Sequence, residues 1–366
     1  MKKIRVGIFF GGRSSEHEIS IKSAKSIIKS LDGTKYDIVL VGVDKCGCFH
    51  FGKEAIACNM PLAARMFDDL CQCNVIVEEI SADLPQKIDD RISKVVDVVF
   101  PVFHGTFGED GTVQGLLRMF DVPFVGAGVL GSAIGMDKDV TKRLLRDSGI
   151  KVAKHMTFSW YESDKIFYEN ITAALGEIIF VKPVSLGSSV GVSKVESKSD
   201  FNKAIEEVFL YDNKVIIEEF INGREIECSV FGNEHPEASL PGEIIVNSDF
   251  YSYSAKYLDK DAAYLQIPAD LPTQVVKNIR EIAVNAYKVL CCDGMARIDF
   301  FITGDFQIFL NEINTIPGFT EEISMYPKLW AASDLPYSEL LDKLIELAIS
   351  RHDREKNLIT NFETVF

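Results

Sequence analysis

The residues of this sequence whose types and spacing most directly suggest chemistry lie in one hairpin. Ala296-Arg297-Ile298-Asp299-Phe300-Phe301-Ile302 and Gln307-Ile308-Phe309-Leu310-Asn311-Glu312-Ile313-Asn314 flank Thr303-Gly304-Asp305-Phe306. Pairing Ile302 with Gln307 across that loop sets Arg297 opposite Glu312. Strand side chains alternate, so Arg297, Asp299, Glu312 and Asn314 are expected on one face, close enough to act together. Two carboxylates and an amide oxygen beside an arginine suit magnesium, which binds through a couple of carboxylates plus substrate phosphates. The polar outer face of an ordinary amphipathic hairpin has the same pattern, and the hairpin alone does not choose between them.

Four further places carry candidate groups. Phe180-Val181-Lys182-Pro183 runs into Val184-Ser185-Leu186-Gly187-Ser188-Ser189-Val190-Gly191, where glycines bracketing two serines let backbone N–H groups approach an anion, with Lys182 at the root. This is neither a P-loop nor G-x-G-x-x-G, and a bland hairpin also accounts for it. Gly11-Gly12-Arg13-Ser14-Ser15-Glu16 follows an apolar strand, at the sheet edge where α/β proteins bind ligands; Glu16 suits an ammonium there, or is simply a first-turn acid. His104 and the loop through Gly111 occupy the same edge of a second unit. Tyr251-Ser252-Tyr253-Ser254-Ala255-Lys256-Tyr257 sits in a loop region, where Lys256 could steady a phosphate or the tyrosines could simply pack.

The elements that must position these groups alternate along the chain. Ile4 to Phe10 reads as a strand. Ala24, Ile27, Ile28 and Leu31 follow at helical spacing, with Ser15 and Glu18 as a capping box, and Tyr36 to Val43 is the next strand. Asp97 to Phe103, a helix with Val113, Leu116, Leu117 and Phe120 on one face, and Pro123 to Gly126 make a second such unit. These define a parallel-sheet α/β domain at 1–125. Helices around 129–149, strands near 152–158, 178–182, 192–195 and 215–219, and a helix at about 199–210 give an α+β central domain at 126–217. Beyond it, at 218–366, come strands, a long loop around 247–270, a helix from about 272 to 290, the hairpin and a closing helix at about 335–350.

The chain has 366 residues, 47% of them apolar, and a formal charge of −15 from 39 basic and 54 acidic side chains. That excludes disorder and argues against nucleic acid or an anionic membrane as the main partner. No apolar run approaches the ~20 residues of a membrane span, and the start lacks a hydrophobic signal core, so a cytoplasmic location is expected. The eight cysteines are expected as free thiols, because the C-x-C spacings among Cys46, Cys48, Cys58, Cys71 and Cys73 do not match zinc knuckles.

Taken together, GGRSSEHEIS from Gly11, HGTFGEDGTVQG from His104, Met136-Asp137-Lys138, KPVSLGSSVG from Lys182, YSYSAKY from Tyr251, Arg297-Ile298-Asp299, and NEINTIPGFT from Asn311 followed by Ser324-Met325-Tyr326-Pro327 resemble the D-alanine:D-alanine ligase family of the ATP-grasp superfamily. The resemblance runs through all three domains. It implies an ATP-grasp fold with an N-terminal Rossmann-like domain, and a homodimer. It also implies a reaction in which one D-alanine carboxylate is phosphorylated by ATP and the acyl phosphate is attacked by the amine of a second D-alanine, for peptidoglycan synthesis. By motif position, Glu16 would hold the first ammonium and join Ser188 and Tyr257 in a hydrogen-bonded triad. Arg297 and the Gly318 N–H would stabilise the tetrahedral oxyanion. Asp299, Glu312 and Asn314 match ligands for magnesium or manganese, two ions per site. Lys138, Lys182 and Lys256 match lysines that contact ATP phosphates, with His104 nearby, and Glu218, Glu219, Ile221 and Glu225 match the adenine and ribose contacts. Ser324 would receive the second carboxylate. Glu321-Glu322-Ile323 is one residue longer than the family pattern and brings two acids beside that pocket. Rival readings are a D-alanine:D-serine or D-lactate ligase and an inactive nucleotide-binding regulator.

Overall fold

The computed structural model describes residues 2–52, 88–246 and 263–359. The apolar run Ile4–Gly11 forms β1, and helix α1 (His17–Ser30) leads to β2 (Tyr36–Val43). A short β3 (Phe49–Phe51), α2 (Ile88–Val95) and β4 (Val98–Pro101) complete a sheet of order β3-β2-β1-β4 in which β1, β2 and β4 are parallel. Burial on both faces explains why β1 is apolar from Val6 onward: Val6, Ile8 and Phe10 enter one core while Phe9 enters another. The expected capping box is not formed. The helix is capped from Glu16 without a side-chain bond, because the preceding loop coils tightly and the Glu16 N–H bonds Ser14 Oγ (3.2 Å).

Three helices follow: α3 (Thr112–Met119), α4 (Val129–Met136) and α5 (Lys138–Asp147), the last capped by Asp137, whose carboxylate accepts the Val140 N–H. Pro123 to Gly126 contributes only an isolated bridge, Val99 to Phe124. Next come β5 (His155–Ser159), a 3-10 turn at Trp160–Lys165, α6 (Tyr168–Leu175), β6 (Ile179–Pro183), β7 (Ser193–Val195), α7 (Lys198–Val208) and β8 (Lys214–Glu219). These strands form an antiparallel sheet of order β5-β8-β6-β7. Ile179, Val181, Val215 and Ile217 pack with the helices in one core. Phe180, Lys182 and Glu218 line a cavity instead. The expected boundary between 217 and 218 falls within β8.

The third sheet contains β9 (Gly223–Phe231), β10 (Glu237–Ala238), β11 (Gly242–Val246), β12 (Ala263–Gln266), then, after α8 (Thr273–Val289), β13 (Met295–Thr303) and β14 (Ile308–Asn314). Its order is β12-β11-β9-β13-β14, with β10 on β9. β12 falls where a loop is expected. Ile279, Ala283, Ala286 and Tyr287 of α8 pack against Ile226, Cys228, Ala296, Ile298 and Phe300. Fully burying a side chain of isoleucine size contributes about 1.5–3 kcal/mol.

Hairpin register departs from expectation. Ile302 pairs with Ile308, a bulge intervenes beyond Phe300–Leu310, and then Asp299 lies opposite Glu312 and Arg297 opposite Asn314. The loop is one residue longer than expected, and the bulge at Asn311 restores the alternation, so the four polar residues still share a face. Helix α9 (Met325–Ala331) and α10 (Tyr337–Lys356) close the described chain. Leu340, Leu341, Leu344 and Ile345 of α10 return to the first sheet and share a core with Val6, Ile8, Val98 and Phe100. Among the described residues, no helix is long and apolar enough to cross a membrane.

Candidate active site

Two cavities meet at the turn joining β6 to β7, with Gly187, Ser188 and Glu312 lining both. The larger, about 570 Å³, is walled by the second and third sheets and lined by Lys138, Lys182, Glu218, Glu219, Ile221 and Glu225. Lys138 leaves the start of α5 to donate to the Leu186 carbonyl (2.6 Å), and its Nζ lies 3.7 Å from Glu312. Its ammonium therefore spans the glycine-rich turn and the acidic hairpin.

Glu218 is a buried carboxylate between two ammonium groups, Lys182 at 2.6 Å and Lys142 at 3.0 Å. Burial opposes its charge, but the two lysines hold its carboxyl down at about 2. Lys142, itself buried, is depressed by that burial and by Lys182 despite its pairing with Glu218. Sequence reasoning missed Lys142, although it stands one helical turn after Lys138 on the same face of α5.

The smaller cavity, about 190 Å³, gathers Glu16, His104, Ser188, Arg297, Glu312, Asn314, Gly318 and Ser324. Ser188 donates its hydroxyl hydrogen to Glu16, joining the glycine-rich turn to the first sheet. Ser188 and Ser189 both hold positive φ (52° and 58°), a conformation that costs free energy in non-glycine residues and clusters at functional sites. Tyr257 and Lys256 lie outside the described residues. His104 lines this cavity rather than the larger one, and burial lowers its pKa in spite of nearby Glu16.

Arg297 grips Asp299 with two hydrogen bonds of 2.8 Å and meets Glu227 of β9 at 2.9 Å. Burial works against its charge, yet Asp299 and Glu227 keep it firmly protonated. Glu227 was not legible as a site residue, because it joins this face only through the pairing of β9 with β13, opposite Asp299. Asn314 donates from Nδ2 to Asp299 (3.0 Å). Among the described residues, no three His, Cys, Asp or Glu side chains form a metal-type cluster. Asp299, Glu312 and Asn314 nonetheless supply two carboxylates and an amide oxygen, an all-oxygen donor set that fits a hard divalent cation needing further ligands from substrate and water.

After β14 the chain turns through Pro317 and Gly318. A Cβ on Gly318 would come within 2.8 Å of Ser324 Oγ, which itself accepts the Thr320 N–H (3.0 Å). Among the described residues, no acceptor meets the Gly318 N–H. Glu321 and Glu322 are exposed, and the Ser324 N–H closes their turn onto the Thr320 carbonyl (2.7 Å). The extra acids therefore sit at the surface, while Ile323 lines the cavity. A second unforeseen carboxyl, Glu109, lines the same cavity; burial and nearby Glu16 push it up to about 8.

Known proteins match this chain throughout. Residues 5–127 match the family model described as D-ala D-ala ligase N-terminus, and residues 144–346 the model described as D-ala D-ala ligase C-terminus. A D-alanine–D-alanine ligase of Shouchella clausii is 48% identical over 361 residues, covering 98% of both chains. Among solved structures, the VanG D-Ala:D-Ser ligase of Enterococcus faecalis superposes with a TM-score of 0.80 at 35% identity, covering 95% of this chain and 100% of that one. The Bacillus anthracis D-alanine–D-alanine ligase complexed with ATP gives 0.73 at 29% identity, covering 97% and 100%.

Proposed function

Since the chain belongs to the D-alanine–D-alanine ligase family and shares its ATP-grasp fold, we propose that its two connected cavities hold ATP and two D-alanines side by side. The protein is an ADP-forming ligase that joins D-alanine to D-alanine for peptidoglycan synthesis. What supports the division of labour is the sharing of Gly187, Ser188 and Glu312 between the cavities, which brings a transferring phosphoryl group next to the substrate carboxylate.

In the larger cavity, Glu218, Glu219, Ile221 and Glu225 take the adenine and ribose, while Lys138 and Lys182, with Lys256, face the phosphates. Asp299, Glu312 and Asn314 would hold magnesium or manganese, two ions per site. The chemistry such an ion would supply there is neutralisation of charge on the phosphate oxygens during phosphoryl transfer. In the smaller cavity, Glu16 takes the ammonium of the first D-alanine, and its bond to Ser188 carries the turn over the site, with Tyr257 as third partner. The first carboxylate attacks the γ-phosphorus, giving an acyl phosphate and ADP. The amine of the second D-alanine, its carboxylate held at Ser324, then attacks the acyl carbon. The tetrahedral oxyanion forms between Arg297 and the Gly318 N–H, and its collapse releases phosphate. Donors fixed before the charge develops cost no reorganisation at that moment.

One domain per sheet, a homodimer through the first domain and a cytoplasmic location complete this reading. Phosphate release with ATP and D-alanine alone tests the substrate, with D-serine and D-lactate as added competitors; no turnover on D-alanine alone refutes it. Glu312→Gln should nearly abolish metal-dependent ATP turnover while leaving the circular dichroism unchanged, and full activity in that variant would refute the metal assignment.

A further inference from the structure

The segment carrying the Gly318 N–H is held from outside the third sheet, by side chains of α1 and of the loop after β4. Ile316 is gripped on both sides of its residue: its carbonyl faces His104 Nδ1 (3.2 Å) and its N–H faces Glu109 Oε1 (3.4 Å). Glu109 also accepts the Gly105 N–H (2.6 Å), tying this grip to the loop after β4. One residue past Gly318, the Phe319 N–H donates to Ser23 Oγ on α1 (3.3 Å), and Ser23 Oγ lies 3.3 Å from His104 Nε2. Ser23, Ile316 and Phe319 are all fully buried or nearly so.

Hydrogen-bond polarity fixes the direction of the chain. A carbonyl can only accept, so His104 Nδ1 carries a proton toward Ile316. A backbone N–H can only donate, so Ser23 Oγ accepts from Phe319 and its hydroxyl hydrogen is left to donate to His104 Nε2. This is one neutral tautomer with every partner satisfied, and burial favours that neutral form. Pro317 has no N–H to hold, so of the peptides between the two grips only that of Gly318 points an N–H elsewhere.

We propose that Ser23 and Glu109, with His104 between them, are positioning residues: a clamp from α1 and the loop after β4 that aims the Gly318 N–H at the reacting carbonyl. Ser23 lies behind the cavity, and Glu109, at its wall, spends its oxygens on the Gly105 and Ile316 N–H groups. They act on the transition state through the peptide they hold. The inference rests on the reading of Gly318 and Arg297 as the oxyanion donors.

Ser23→Ala removes both Ser23 bonds, and Glu109→Gln keeps an acceptor for Gly105 while turning an NH₂ toward the Ile316 N–H. Each is assayed in the full-length enzyme for kcat, for the KM of ATP, and for affinity toward a tetrahedral phosphinate analogue of the dipeptide in the presence of ATP. The expected result is a fall in kcat of about ten-fold or more with an equal loss of analogue affinity and a KM for ATP within about two-fold. A merely structural role would lower the melting temperature and leave kcat per folded molecule intact, which overturns the proposal, as does kcat within two-fold of the parent in Glu109→Gln even if Ser23→Ala fails to fold. Arg297→Lys separates the two layers. If it loses analogue affinity while the clamp variants do not, the clamp is wrong and the oxyanion reading stands. If it retains full analogue affinity, both fall.

Discussion

Replacing Lys142 with methionine removes one of the two charges that hold Glu218 as a buried anion. Lys142 is 1% exposed, with Nζ 3.0 Å from Glu218 Oε1 and 3.1 Å from the Asn311 carbonyl. Glu218 is 2% exposed and otherwise meets Lys182. Burial alone would drive its carboxyl above the ordinary 4.5, yet the two ammonium groups hold it at about 2. That gap corresponds to about 3 kcal/mol in favour of the charged form. Methionine keeps much of the packing, but the desolvation of Glu218 remains with half of its compensation. Breaking a buried pair costs about 3–5 kcal/mol, and because Lys182 stays and burial already weakens the Lys142 ammonium, the low end, about 3 kcal/mol, is expected. The folded-state carboxyl lies below its unfolded value, so the stabilisation is fully present above about pH 4.5 and is lost as pH falls through about 2. Urea midpoints of parent and variant should therefore differ most at pH 7, draw together as the pH falls below about 4.5, and converge only near pH 2. A difference under about 0.5 kcal/mol at pH 7, or one that widens in acid, would refute the reasoning.

Two other substitutions probe separate features. Gly318→Ala should cut kcat by about 10²-fold, since its Cβ would press within 2.8 Å of Ser324 Oγ and move the peptide, while nucleotide affinity measured by fluorescence titration stays unchanged. Arg351→Met should lower stability by about 2–4 kcal/mol in calorimetry with KM unaltered, because the guanidinium serves the buried carbonyls of Gly126 (2.7 Å) and Phe124 (2.9 Å).

Periodicity made most of the helices and strands legible, because the apolar faces of α1, α8 and β13 write themselves into the spacing of Ala24, Ile27, Ile279, Ala283, Ile298 and Phe300. The hairpin face was read correctly from an incorrect register. A longer loop alone would have turned Glu312 onto the apolar side, and the bulge at Asn311, which no spacing announces, turned it back. Strand β12 was lost in a long stretch read as loop. Candidate residues inside contiguous motifs, such as Glu16, Ser188 and Gly318, could be singled out because the chain itself gathers them, and all three line the smaller cavity. Glu227, Lys142 and Ser23 could not be, because each meets its partner only across the join between distant segments: β9 against β13, α5 against β8, and α1 against the turn after β14.

Helix α10 has a consequence for how the molecule is made. Val6, Ile8, Phe10, Val98 and Phe100 share their core with Leu340, Leu341, Leu344 and Ile345, and α1 supplies only part of the cover. A ribosome delivers the first sheet early and residues 337–356 late, so one apolar face waits uncovered through most of synthesis. Until that helix docks, the nascent chain presents the kind of sheet surface that chaperones hold and that neighbouring nascent chains can stick to. The portion translated first is the portion whose folding is completed last.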